Sequence, residues 1–136
     1  MNRFLVLLCV SVSLATVGDA PPLTEQLQRG VVCSVVDGDT IWVVLDGGTT
    51  LNVRFAGVDT PELHVGGEEP PEPGAVVYSR LTTEHFLPGT VVWLRVVAEG
   101  SYGRSIAEVY DYPGQPLEES WPRLLDHLLT VEALGD

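Results

Sequence analysis

The sequence predicts a mainly β fold with helices (α+β). Five short strands close into a small barrel, with one helix between the third and fourth strands and another at the C-terminal end. Three observations carry this expectation. Short β-branched runs are separated by turns rich in glycine, aspartate or proline. Two stretches exchange that alternation for helical spacing. The 136 residues, 45% of them apolar, suffice for one core and show neither repeats nor a second domain.

Gly30-Val31-Val32-Cys33-Ser34-Val35-Val36 is the first run, stopped by the hairpin signal Asp37-Gly38-Asp39. Thr40 to Leu45 forms the second strand, and Asp46-Gly47-Gly48 turns the chain again. Leu51, Val53 and Phe55 then alternate with Asn52, Arg54 and Ala56, so Arg54 projects from the face opposite the large apolar side chains. Pro61 cannot donate to a ladder, which ends this strand near Val58. Beyond the polar, proline-rich loop Gly66 to Gly74, Ala75 to Leu87 fits a helix with Val77, Leu81 and Phe86 near one stripe. Thr90 to Ala98 and Ser105 to Tyr112 supply the last strands. Ser120 is placed to cap a helix from Trp121 to Leu134, with Pro122 in its first turn. The layout suits a five-stranded OB-fold Greek-key barrel, although other α+β arrangements share the pattern. Trp42, Trp93 and Trp121 are expected as core anchors, and Cys33 as a small buried side chain.

The first twenty residues look like an address. Arg3 precedes the apolar run Phe4 to Val10, and small residues follow at Ser13, Ala15, Gly18 and Ala20, the order of a secretory signal peptide. The domain plan is therefore a signal over 1–20, a linker over 21–28 and one domain over 29–134. The expected location is secreted or periplasmic. Removing the signal leaves Cys33 as the single cysteine, so no internal disulfide is available. No apolar run reaches the roughly 18 residues of a spanning helix, and the domain is expected to be a monomer. Acidic residues outnumber basic ones by 19 to 7, for a net charge of −12. The basic residues are all arginines, so a broad basic footprint for nucleic acid is absent and phosphate chemistry must rest on a few placed guanidiniums.

Charged residues concentrate where strands end: Asp37-Gly38-Asp39-Thr40, then Arg54 with Asp59-Thr60-Pro61-Glu62, then Tyr102-Gly103-Arg104. Asp39 and Asp59 offer hard oxygen ligands with no histidine–cysteine cluster nearby, which suits Ca²⁺ or Mg²⁺ and argues against Zn²⁺. Glu62, across a proline turn, is placed to accept a proton from water. Arg54 and Arg104 are forks that hold a phosphoryl group and offset charge building on phosphorus. Each piece alone has a plainer explanation as a turn, a helix cap or a surface ion pair. All three together form the parts for attack of water on a phosphodiester.

Val35-Val36-Asp37-Gly38-Asp39-Thr40, Val53-Arg54-Phe55-Ala56-Gly57-Val58-Asp59-Thr60-Pro61-Glu62 and Tyr102-Gly103-Arg104-Ser105-Ile106-Ala107 resemble, in order and spacing, the signature blocks of the staphylococcal nuclease family. The resemblance covers roughly residues 29–134. It implies a Ca²⁺-dependent nuclease on an OB-fold barrel, hydrolysing DNA and/or RNA to products ending in a 3′-phosphate. By match of position, it makes Asp39, Asp59 and the Thr60 carbonyl the Ca²⁺ ligands, with Asp37 a carboxylate behind them. Glu62 becomes the general base, Arg54 and Arg104 the clamps on the reacting phosphate, and Tyr102 a neighbour of the bound nucleotide. The archetype is strongly basic and uses lysines around its nucleotide, whereas this chain has none. Its charge opposes the approach of a polyanion, and screening over about 8 Å at physiological salt weakens that repulsion.

The rival reading is a non-catalytic OB-fold module that binds nucleic acid or a protein partner. A third takes Glu68-Glu69-Pro70-Pro71-Glu72 as an interaction surface, against the plainer view of a solvated loop. His64 is expected at the rim of the site or simply on the surface.

Overall fold

The computed structural model describes residues 27–64 and 67–135. The export signal expected over 1–20 and residues 21–26 of the expected 21–28 linker lie outside the described residues. Strand β1 (Gln28–Asp37) begins at the last residue assigned to that linker. β2 (Thr40–Leu45) and β3 (Thr50–Phe55) follow, then helix α1 (Ala75–His85), β4 (Val91–Glu99), β5 (Ser105–Tyr110) and helix α2 (Trp121–Gly135). The strands close in the order β1-β2-β3-β5-β4. β4 returns antiparallel to β1, and β3 runs parallel to β5. This is the α+β barrel expected from the turn spacing, with its helices in the expected places, and it is consistent with the OB-fold.

Alternation fills the barrel. Val32, Ile41, Val43, Val53, Phe55, Val92, Leu94, Ala107 and Val109 point inward and are essentially inaccessible. Phe55 meets Phe86, just beyond α1, with ring centroids 5.8 Å apart. Phe55→Ala is expected to cost about 3–5 kcal/mol, since the barrel wall cannot collapse onto the space left. Urea denaturation measures it, and a loss below about 1 kcal/mol would show that the core repacks freely.

Several side chains differ from expectation. Cys33 is exposed because it follows the inward Val32 on the strand, and the register shift between Val32 and Ser34 leaves it unpaired on the outer face. Trp42 is 38% exposed: it alternates with the inward Ile41 and Val43, so it stands on the outer face. Trp93 is likewise only half-buried, between the inward Val92 and Leu94, and Trp121 packs against the core edge. In α1 the buried side chains are Ala75, Tyr78 and Thr82, while Val77 is 54% exposed. The larger Tyr78 takes the inward position, and Thr82 is accepted there because its hydroxyl is hydrogen-bonded. The fifth strand ends at Tyr110 rather than Tyr112. Ser120 precedes α2 as expected, but its hydroxyl donates to the Leu117 carbonyl.

His85 stacks on Trp121, and its Nε2 lies 2.9 Å from Asp111 Oδ1. The hydrogen bond from His85 holds the Asp111 carboxyl below its usual range, against the opposing effect of burial. A carboxyl depressed in the folded state stabilises the fold above its unfolded pKa of about 3.9 and loses that contribution as pH falls through the folded value. Urea midpoints should therefore fall on acidification below about pH 4, and Asp111→Asn should flatten the fall. An unchanged acid limb in the variant would contradict this assignment.

Candidate active site

The site begins at the two-residue turn between β1 and β2. Gly38 is required there by close approach: a Cβ would stand 2.7 Å from Thr60 Oγ1 and 3.0 Å from Tyr78 Cβ. Its carbonyl accepts a hydrogen bond from the Thr82 hydroxyl (2.7 Å), which in turn accepts one from Trp121 Nε1 (3.2 Å). Both helices thus anchor the acidic turn from behind. Gly38→Ala is expected to destabilise by about 1–3 kcal/mol, as overpacking does, and to displace Thr60 from the Asp39 carboxylate. Urea denaturation checks the first part, and a neutral result would refute the contact.

The Asp39 side chain is almost wholly buried and carries several bonds. Oδ1 accepts from the Thr40 hydroxyl at 2.9 Å, and Oδ2 accepts from the Thr60 backbone N–H at 3.1 Å. Asp37 Oδ1 accepts from the Asp39 N–H at 3.3 Å. Burial, reinforced by the adjacent Asp39 carboxylate, pushes the Asp37 carboxyl up to about 6.

Arg54 stands opposite Thr40 in the β2–β3 register, on the outer face. Its Nη2 lies 3.1 Å from Asp59 Oδ1 and 3.8 Å from Asp39 Oδ2, so one nitrogen serves both aspartates. Gly57, at φ 78°, makes the bend after β3 that L side chains rarely adopt, and the chain then returns Asp59 and Thr60 to the turn. Asp59 is exposed, whereas Thr60 is buried with its hydroxyl unpartnered.

Glu62 is held by its backbone. Its N–H donates to Glu72 Oε1 at 2.7 Å, and the Glu72 N–H donates to the Glu62 carbonyl at 2.8 Å. The Glu62 carboxylate stays exposed, 3.8 Å from His64 Nδ1. Glu62 and Arg104 line one depression with Asp37, Thr40, Asn52 and Tyr102. Glu62 also borders a second hollow, with Asp59 and Thr60. Tyr102 is 95% exposed at φ 59°, and Arg104 Nε donates to the Ser101 carbonyl at 3.3 Å.

The residues named from sequence therefore gather at one end of the barrel, with two separations. Arg54 turns to the aspartates while Arg104 lines the depression, and among the described residues no ion pair or hydrogen bond joins Arg104 to Glu62. Three further residues belong to the site's surroundings. Asn52 was readable as a face-mate of Arg54 two residues away. Glu72 and Thr82 act across the fold and carry no local signal.

The donor chemistry fits a hard divalent cation. Asp39 and Asp59 both approach one point, marked by Arg54 Nη2, and the donors they offer there are hard carboxylate oxygens. Among the described residues, no three Asp, Glu, His or Cys side chains converge as a metal cluster. Carbonyl and water oxygens would have to complete the coordination.

No family model matches the sequence. Over 101 residues, 70% of this chain, it is 30% identical to a Bacillus subtilis (strain 168) protein named Endonuclease YhcR, and it spans 8% of that protein's length. Barrel and similarity together fit a staphylococcal-nuclease-like OB domain. No described helix is long and apolar enough to cross a membrane.

Proposed function

We propose that this domain is a Ca²⁺-dependent nuclease that hydrolyses phosphodiester bonds of DNA and/or RNA, leaving 3′-phosphate ends, and that residues 1–20 direct its export. The observation that carries this reading is the depression shared by Glu62 and Arg104, beside the aspartate pair bridged by Arg54. The named endonuclease similarity supports it at a coarse level.

Asp39, Asp59 and the Thr60 carbonyl would hold the cation, with Asp37 behind them. Ca²⁺, or Mg²⁺ as the other hard oxygen-seeking ion, would draw the substrate phosphate in and offset its charge. Glu62 takes a proton from water as the water oxygen bonds to phosphorus. The phosphorus–O5′ bond breaks, and the departing O5′ receives a proton from solvent beside the Arg104 guanidinium. Arg54 and Arg104 hold the non-bridging oxygens and stabilise the charge accumulating on them. Tyr102 flanks the bound nucleotide.

Incubation with plasmid DNA or RNA, in Ca²⁺ and in chelator, tests the proposal. Cleavage in Ca²⁺ only, with 3′-phosphate ends, is the expected result. Retention of either substrate without cleavage would favour the non-catalytic module instead.

A further inference from the structure

The outer face of β2 and β3 carries two side chains that hydrolysis does not use. Trp42 lies directly across from Asn52 in the register, so both share a face with Thr40 and Arg54. Its indole is 38% exposed, although Ile41 and Val43 on either side are fully inaccessible. The Asn52 side-chain oxygen is buried and has no hydrogen-bond partner, a costly arrangement in a finished protein. The same residue lines the depression that holds Glu62, Tyr102 and Arg104.

With its oxygen turned inward, the Asn52 amide has its nitrogen left to meet a ligand, and that nitrogen donates. A donor so placed matches the ring-nitrogen and carbonyl acceptors along a nucleobase edge. An exposed indole offers the flat face on which an unstacked base lies. The chain has no lysine with which to hold a polyanion by charge. Contact with the base supplies affinity that the net charge of −12 withholds.

We infer that Trp42 and Asn52 form a nucleobase subsite beside the phosphodiester site, the indole stacking an unpaired base and the amide reading its edge. The inference rests on the nuclease reading for its location, because the nucleotide concerned flanks the scissile bond. It favours single-stranded or frayed substrate, whose bases are free to leave the stack.

Two titrations of the full chain in Ca²⁺ test it, followed by tryptophan fluorescence with Trp42→Phe identifying the responding ring. The probes are adenosine 5′-monophosphate and base-free ribose 5-phosphate. The nucleotide should bind at least about tenfold tighter, and Asn52→Ala should reduce that ratio by about threefold or more, the worth of one hydrogen bond. Equal affinities, no binding of the nucleotide, or an Asn52→Ala ratio like the parent's would overturn the subsite. The comparison of probes on the unsubstituted protein decides even where the variant fails to fold. A separate arm measures hydrolysis of bis(p-nitrophenyl) phosphate, a diester without a base, by the unsubstituted protein. Failure there counts against the nuclease reading and leaves the binding result standing.

Discussion

Arg54→Ala should lower kcat by at least about 10²-fold, the usual loss on removing a preorganised charge partner, while tightening Ca²⁺ binding. The two effects oppose because the guanidinium has two duties. With substrate present it offsets charge on the reacting phosphate. Without substrate its Nη2 lies 3.1 Å from Asp59 and 3.8 Å from Asp39, neutralising the carboxylates that a cation needs. Unit charges at 4 Å interact by about 4 kcal/mol at an effective dielectric of 20. Asp59 is 83% exposed and solvent screens much of this, so a gain of about tenfold in affinity is expected. Calorimetric Ca²⁺ titration beside kcat measurement checks both signs. Weaker Ca²⁺ binding in the variant would mean that Arg54 organises the aspartates rather than competing for them.

Much of the barrel was legible because strand alternation and turn chemistry are local. Thr40–Leu45 matched residue for residue, bounded by Asp37-Gly38-Asp39 on one side and Asp46-Gly47-Gly48 on the other. Side chains whose placement depends on remote partners were less legible. The bulge that turns Ser34 outward with Cys33 arises from pairing with β2, and the preference of α1 for Tyr78 over Val77 arises from the barrel surface beneath it. Trp42 stands outside because strand parity outranks the hydrophobicity of one residue.

The candidate site divides in the same way. Asp37, Asp39, Thr60 and Glu62 adjoin turns whose composition marks them, and the fold brings them to one end. The Thr82–Gly38 anchor and the Glu62–Glu72 clasp join segments 44 and 10 residues apart, and no short-range pattern encodes them. Asn52 lay in view beside Arg54, yet an isolated asparagine on a strand signals little until its buried oxygen is seen to lack a partner.

Glu62→Gln is the second large expected effect. The amide keeps the shape of the side chain and the backbone clasp to Glu72, which uses the Glu62 N–H and carbonyl. It removes only the capacity to accept a proton, so stability should change little while turnover falls by about 10²–10⁴-fold. His64, 3.8 Å from the carboxylate, is a poor substitute because its ring also lies 3.7 Å from Glu69. The decisive measurement is single-turnover cleavage of an end-labelled oligonucleotide in saturating Ca²⁺ by Glu62→Gln and its parent, with matched urea midpoints. A fall of at least about 10²-fold with unchanged substrate affinity is the expected result, and cleavage as fast as the parent's would contradict the assignment of Glu62 as the group that activates water.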